Sequence, residues 1–505
     1  MITITVIMAT LLELIDTTIV NVSLPQIMGN LGATLSEVGW VITGYAVANV
    51  IILPMSAWLG MRFGRKKYFM ASILIFTLSS FFCGNAESIE TLVFFRIIQG
   101  LAGGGLLSTS QTILVETWPK EQIGMATALF GLGVVVGPTV GPTIGGYITY
   151  HLNWSWIFYV NIPLGVLGLS MSYYFLKDTP GEKEKKIDWW GILLLAIGIG
   201  SLQMLLEKGE EEGWLESNFI AGLMLISALG IVGFIWRELS VDNPIVDLRV
   251  LRNKDLAVGM VTSFVLGVGL YASVFIYPIF AQNLLGFTSL KTGELLFPGG
   301  LATVFMMPIV GLLLKNKFPP QILATLGFIL FFVFTDMLSR STLETGESDF
   351  FWPLIIRGLC MSMCFVPLTS LALSGLEGKD IAQGAGMNNM MRQLGGSFGI
   401  AIITTMINHR VAFHRNHLIE NISEYNPVSM ERFQLMWRGF MSQGIDSNTA
   451  QQMTFKSLDG LVTRQSYLLA YMDAFHIVGV LMLCALPLIF LHRYSRDIRL
   501  PMDAH

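Results

Sequence analysis

Two carboxylates lie three residues apart in an apolar stretch, Glu13 and Asp16 in LLELIDTTIVNVSLP. At that spacing they share one helix face. An ionised carboxylate at the middle of a bilayer costs about 2.5–3.5 kcal/mol even on a lenient insertion scale. Each must therefore be protonated, paired or turned towards water, and two acids so close resist ionising together. That is the chemistry of a proton-coupling site; the competing reading is a structural polar patch capped by Thr17, Thr18 and Asn21. A second apolar stretch carries Arg96-Ile-Ile-Gln99-Gly100. Arg96, Gln99, Gly100 and Gly103 share a face, and an arginine keeps its proton in a protein. It needs an anionic or carbonyl partner, and Asp16 or Glu13 is the candidate.

Arg357 and Arg392 are the other arginines inside apolar segments. Arg392 follows Asn388-Asn389-Met390-Met391, and methionine beside amide side chains makes an adaptable surface suited to varied ligands. Tyr271, Phe275, Arg357, Asn388, Met391 and Arg392 are the candidate lining of a substrate cavity. Tyr277, Asp473 and His476 are weaker candidates. Four glycines, Gly133, Gly137, Gly141 and Gly145, recur every four residues, with Pro138 and Pro142 beside them. Small residues at that spacing let helix backbones approach closely, and each proline removes an internal hydrogen bond, so a bent, groove-forming helix is expected.

The elements that position these groups must be membrane helices. Of 505 residues, 53% are hydrophobic and 13% charged, about half the usual charged fraction, and mean hydropathy is +0.62. A span needs about 20 apolar residues. Fourteen segments qualify, near 2–24, 38–60, 68–85, 91–114, 123–149, 157–176, 189–207, 218–237, 256–282, 293–315, 321–339, 351–374, 384–409 and 466–491. Continuous apolar runs without alternation exclude a β-barrel. No basic region precedes the first segment and acids interrupt it, so it reads as a span rather than a signal peptide. It begins almost at Met1, which leaves room for residues upstream.

Eighteen basic residues fall in one set of short connections and the tail, among them Arg62, Arg65, Lys66, Lys67, Lys120, Lys183, Lys185, Lys186, Arg249, Lys315, Lys379 and Arg493. Only Lys208, Lys291 and Arg340 fall in the short opposite loops. The bias places both termini in the cytoplasm. A net charge of −4 argues against nucleic acid as a partner. The four cysteines show neither disulfide nor metal-ligand spacing, so no metal is expected. The absence of a Walker-type Gly-x4-Gly-Lys-Ser/Thr excludes an ATP-driven pump.

Segment 177–255 reads as an insertion: a Lys- and Glu-rich linker, two helices and a mixed-charge return. Without it, six helices occupy 1–176, and six occupy 256–491, which includes a polar loop at 410–465 with an amphipathic piece near Met430–Met441. A cytoplasmic tail spans 492–505. Outside the loop the second half is 180 residues long against 176 for the first. Pro54-Met-Ser-Ala57-Trp-Leu59, leading to Arg62-Phe63, parallels Pro308-Ile-Val-Gly311-Leu-Leu313, leading to Lys317-Phe318. Repeated six-helix halves point to a transporter with a central site at their interface, not to an enzyme.

Together these motifs resemble the major facilitator superfamily, and within it the fourteen-helix drug:proton antiporter branch of EmrB/QacA type. The resemblance rests on Ile15-Asp16-Thr17-Thr18-Ile19-Val20-Asn21-Val22-Ser23-Leu24-Pro25; on Leu59, Arg62, Gly64, Arg65 and Lys66 after the second helix; on Arg96, Gln99 and Gly100; and on Gly137, Gly141, Pro142, Gly145 and Gly146. The stretch Asn153-Trp154-Ser155-Trp156-Ile157-Phe158, leading to Asn161-Ile-Pro163, also looks like this branch. Ala57 stands where the family usually has Gly, and Met61 where it often has Asp. The resemblance implies an all-α major facilitator fold, two six-helix bundles plus two inserted helices. It implies proton-coupled efflux of lipophilic small molecules by alternating access, driven by the proton motive force without a cofactor. The long loop before the last helix is similar to that of EmrB-like proteins. It implies a bacterial inner-membrane pump working with a periplasmic adaptor (membrane fusion) protein and an outer-membrane channel. Two other readings stay open: a dedicated exporter of one metabolite, siderophore or fatty acid, and a non-transporting sensor on the same fold.

Overall fold

The structure, a computed structural model, describes residues 1–119, 122–181, 187–423 and 425–491. Lys120, Lys183, Lys185, Lys186, Arg493 and the rest of the 492–505 tail lie outside the described residues. Within them the chain is helical and contains no β-strand. A bilayer interior offers no water to backbone groups, so long apolar runs satisfy their N–H and C=O groups internally.

The first half comprises α1 (Ile2–Leu31), α2 (Leu35–Phe63), α3 (Arg65–Gly84), α4 (Ile89–Thr117), α5 (Ile123–His151) and a sixth segment broken at Val160 into α6 (Trp156–Tyr159) and α7 (Asn161–Phe175). Then come α8 (Trp189–Lys208) and α9 (Asn218–Ser240). The second half contains α10 (Lys254–Ile279), α11 (Ser289–Lys315), α12 (Pro320–Leu338), α13 (Phe351–Ser374), α14 (Lys379–Glu420), α15 (Pro427–Ser442), α16 (Ser447–Cys484) and the short α17 (Leu486–Ile489). Local chemistry marks their starts. Thr34 and Glu37 form a reciprocal capping box on α2, Asn253 caps α10 through the amides of Asp255 and Leu256, and Asp446 caps α16 through those of Asn448 and Thr449.

Thirteen of these helices are long and apolar enough to cross a membrane, one fewer than the fourteen expected. The helix that falls short is α14. Its first turns carry Gln383, Asn388, Asn389, Arg392 and Gln393, and its last turns are polar. A belt of exposed apolar side chains surrounds the molecule, including Phe94, Leu225, Leu229, Trp236, Phe305 and Ile402. So much exposed apolar surface suits lipid rather than water, and the protein is a multi-pass membrane protein.

Backbones meet at glycines. The Gly133–Gly145 ladder of α5 lies along α1, the helix of Glu13 and Asp16. A Cβ on Gly137 would stand 2.8 Å from Leu14 Cβ, and one on Gly141 would land on the Thr18 hydroxyl. In the second half, Gly395 of α14 lies against the Phe264 carbonyl of α10, and Gly399 against Val268. The halves touch where Gly311 of α11 meets Met125 and Ala128 of α5, and where Gly386 of α14 meets the Leu53 carbonyl of α2.

The inserted helices α8 and α9 cross at Gly198 and Gly230. On one side α8 rests on α2, with Gly200 against Ile51 and Val47, and Lys208 over the Trp40 ring at 5.8 Å. On the other side it binds α14: Gln203 Nε2 donates to Ser397 Oγ at 2.7 Å, and Trp214 Nε1 to Thr405 Oγ1 at 2.8 Å. Segment 410–465 is mostly helical, because α14 and α16 both continue into it and α15 covers the amphipathic piece. The two extensions are pinned by Arg410 and His414 on Asp473 at 2.6 and 2.7 Å, and by Arg415 on Asp459 at 2.5 Å.

Candidate functional site

The N-terminal half brings Asp16, Arg96 and Gln99 into one buried cluster. Arg96 Nη1 donates to Asp16 Oδ2 at 2.6 Å and Gln99 Nε2 to Asp16 Oδ1 at 3.0 Å. Arg96 also donates through Nη1 to Gln99 Oε1 at 2.8 Å and through Nε to the Val41 carbonyl at 3.1 Å. Its guanidinium stacks over the Tyr45 ring at 4.2 Å. Asn161 Nδ2 supplies a third donor to the carboxylate, reaching Oδ1 at 2.7 Å. The expected pair is therefore built, and both oxygens of Asp16 are engaged inside one bundle. Gly100 permits it by letting α4 approach the Tyr45 carbonyl of α2, where a Cβ would sit at 2.5 Å.

Glu13 stands apart from this pair. Its Oε1 accepts from Asn49 Nδ2 at 2.9 Å, and its Oε2 is buried with no hydrogen-bond partner among the described residues. Asn49, Tyr45 and Asn161 were not picked out as site residues from sequence. Asn161 alone had a signal, its place before Ile-Pro163 in the sixth segment; polar residues like Asn49 and Tyr45 also occur in helices for packing alone.

The turn after α2 is anchored as a unit. Gly64 has φ +88°, and a Cβ there would strike the Thr179 carbonyl. Arg65 pairs with Glu116 of α4, and its amide donates to Thr179 Oγ1 at 3.0 Å. Lys66 Nζ donates to the Tyr173 carbonyl at 2.8 Å, and Arg62 lies over the Trp58 ring at 5.5 Å. Arg62 and Met61 line a small cleft with Lys379, Asp242, Asp247 and Asp380. Carboxylates from the 241–247 return and from α14 thus surround the position where Met61 replaces an acid.

The candidate cavity residues fall into two groups. Tyr271 OH donates to Gln393 Oε1 at 3.2 Å, Asn388 Oδ1 accepts from Ser263 Oγ at 2.7 Å, and Arg392 Nη2 donates to Asn389 Oδ1 at 2.5 Å over the Phe365 ring. These gather on facing turns of α10 and α14; Met391 is half-buried beside them and Phe275 is half-buried further along α10. Arg357 lies elsewhere on α13, buried, with Nε donating to Ser273 Oγ at 3.4 Å. Asn389 Nδ2 donates across the halves to Gln111 Oε1 at 2.8 Å. Of the ladder, Gly146 is half-buried while Gly141 and Gly145 are buried. Asp473 is held by Arg410 and His414, and His476 faces the Phe332 ring.

Helices that pair through glycines and a buried ion pair on the first helix agree with one family, and residues 6–400 match the Major Facilitator Superfamily. The chain belongs to this superfamily. It is 34% identical over 451 residues to the multidrug export protein EmrB of Haemophilus influenzae, covering 88% of each chain. It is 35% identical over 461 residues to EmrB of Escherichia coli K12, covering 90% of each. It is 32% identical to the fatty acid resistance protein FarB of Neisseria gonorrhoeae, over 96% of this chain and 94% of that one. Two solved superfamily structures share the fold. The human organic anion transporter MFSD10 has a TM-score of 0.60 at 12% identity, covering 97% of this chain and 98% of that one. The proton:xylose symporter XylE has a TM-score of 0.59 at 14% identity, covering 96% and 95%. Superfamily membership makes the protein a membrane transporter rather than an enzyme.

Proposed function

We propose that the protein is a proton-coupled exporter of lipophilic small molecules, working by alternating access in the bacterial inner membrane with both termini cytoplasmic and α14 as a fourteenth span. The observation that carries this is the Asp16–Arg96 pair, buried on the helix along which the glycine ladder of α5 is seated. Protonation of Asp16 cancels the charge that holds Arg96 and frees the guanidinium to its remaining partners, Val41, Gln99 and the Tyr45 ring. Because α1 and α5 are in backbone contact, a change in that cluster is transmitted to the bundle as a whole, and the bundles rock. Drug leaves as a proton enters, with Glu13 tuning the site. The mid-membrane turns of α10 and α14 around Tyr271, Asn388, Met391 and Arg392 offer the substrate its surface. The helical extensions of α14 and α16, with α15, offer a docking surface for a periplasmic adaptor that leads to an outer-membrane channel. The EmrB relatives support this reading.

Reconstituted vesicles with an imposed proton gradient test it. Asp16→Asn should abolish uphill export while retaining ligand binding. Undiminished uphill export in that variant defeats the assignment. A second reading, a dedicated exporter of fatty acids, is favoured by the similarity to FarB. A deletion strain exposed to a panel of unrelated lipophilic drugs separates the two, because the dedicated exporter predicts unchanged sensitivity to the panel.

A further inference from the structure

Among the buried polar atoms without a hydrogen-bond partner are one carboxyl oxygen in the first half and one guanidinium nitrogen in the second, and the two side chains lie within electrostatic reach of each other. On α1, Glu13 is 2% exposed and its Oε2 has no hydrogen-bond partner among the described residues. On α14, Arg392 is 2% exposed and its Nη1 has none. The Gln111–Asn389 bond ties α4 to α14, and the same Asn389 accepts from Arg392. Glu13 is held towards α4 and α2 by Asn49, whose amide also lies beside Gly103. Arg392 is one turn past Asn389, its carbonyl pressed against Gly267 of α10. Leaving a buried guanidinium N–H or a buried carboxyl oxygen without a partner is costly, because the group has given up water and gained nothing in exchange. Two such groups of opposite type, on different bundles and within electrostatic reach, suit each other as partners.

We propose that Glu13 and Arg392 form a proton-gated ion pair between the two bundles. With Glu13 protonated, the carboxyl stays with Asn49 and the guanidinium with Asn389 and the Phe365 ring, as in this structure. When Glu13 releases its proton, the carboxylate and Arg392 attract each other, and the seam between α1 and α14 closes at mid-membrane. The hydrogen-bond partners of Asp16, namely Arg96, Gln99 and Asn161, all belong to its own bundle, whereas Arg392 belongs to the other bundle from Glu13. The groups facing Glu13 are Asp16 on α1, Tyr45 on α2, Tyr68 on α3, Tyr271 on α10 and Arg392 on α14, with Arg96 of α4 behind Asp16 and Tyr45. Arg392 is the one cation among them that no carboxylate already holds.

The inference rests on the proton-coupled reading above, and the test separates the two. Nitroxides on Asn30 and Glu344, one on each half, report the inter-bundle distance by pulsed electron resonance in reconstituted full-length protein between pH 5 and 9. The wild type should show a pH-dependent change in the distance distribution. Glu13→Gln should lose this step, and Arg392→Lys should keep it. Arg392→Gln should move its midpoint upward by at least one pH unit, since an opposite charge at such range is worth about 1–3 units. An Arg392→Gln midpoint equal to that of the wild type, with the Glu13→Gln step lost, overturns the pair and leaves proton coupling standing. A wild type without any pH-dependent change overturns both. Thermal unfolding of each variant confirms that it is folded, and Arg392→Met, which also removes the charge, carries the same midpoint test if Arg392→Gln is not.

Discussion

Asp16 accepts from three side chains, one on α7 and two on α4, so its charge is bound into the packing of the first bundle. Removing one partner of a buried ion pair is far more damaging than removing both. Arg96→Gln should therefore destabilise the protein by about 3–5 kcal/mol, and the double variant Asp16→Asn/Arg96→Gln should regain much of that loss in thermal unfolding of detergent-solubilised protein. Equal losses in single and double variants would show that the charge itself is not what the cluster depends on. Sequence narrowed the partner of Arg96 to Asp16 or Glu13, because one buried arginine and two buried acids leave few ways to balance charge, and only the folded geometry selects Asp16. The partners of Arg357 and Arg392 were not legible. They are neutral side chains, Ser273 and Asn389, and neutral donors and acceptors carry no mark that distinguishes a partner from a packing residue.

At the scale of elements, glycines decide which helices travel together. Gly141 leaves room for the Thr18 hydroxyl, so Gly141→Leu should push α5 off α1 and reduce transport at least tenfold. Gly222→Ala on α9, where nothing lies within 4 Å, should leave expression and transport unchanged. Efflux from inverted vesicles measures both. The cap of α16 gives a pH prediction. Hydrogen bonds from Thr449, its side chain and then its amide, hold the Asp446 carboxyl below the usual carboxylate range and outweigh its slight burial. A depressed acid adds stability that is present above its unfolded pKa and is lost as pH falls through the folded value. Hydrogen-exchange protection of the Asn448 and Thr449 amides, relative to a free amide at the same pH, should therefore fall under acid, and Asp446→Asn should cap the helix without that pH dependence. Apolar runs announced most helices in the sequence, but the far turns of α14 and α16 have no such run. Those turns are joined across the hairpin by the ion pairs of Asp473 and Asp459, which only the folded chain brings together.

For the whole molecule, the two halves share an architecture and differ in charge. The first holds two acids and one arginine at depth, the second two arginines hydrogen-bonded to the neutral side chains Ser273 and Asn389. Repeat symmetry was readable from matched lengths and from the Pro54 and Pro308 segments. The seating of the inserted helices was not, because an apolar helix shows the same composition towards lipid as towards a protein groove. That seating yields a further prediction. If α8 moves with the second half, to which Gln203 and Trp214 bind it, a short cross-link between cysteines at Gln203 and Ser397 should leave transport intact. One between cysteines at Gly200 and Ile51 should arrest it. Arrest by the first and not the second would assign the hairpin to the other bundle.

The place of α8 bears on an economy that any carrier of membrane-soluble cargo must keep. Molecules that dissolve in lipid return by diffusing sideways through gaps in the protein wall, and every such return wastes a turnover. Beside α14, Leu202, Leu205 and Leu206 of α8 cluster with Phe398 and Ala401. Under the proposed exporter function the hairpin would work as a check valve against back-leak from the leaflet on that side, and thinning its leucine face would lower the concentration gradient the carrier can sustain without slowing its cycle.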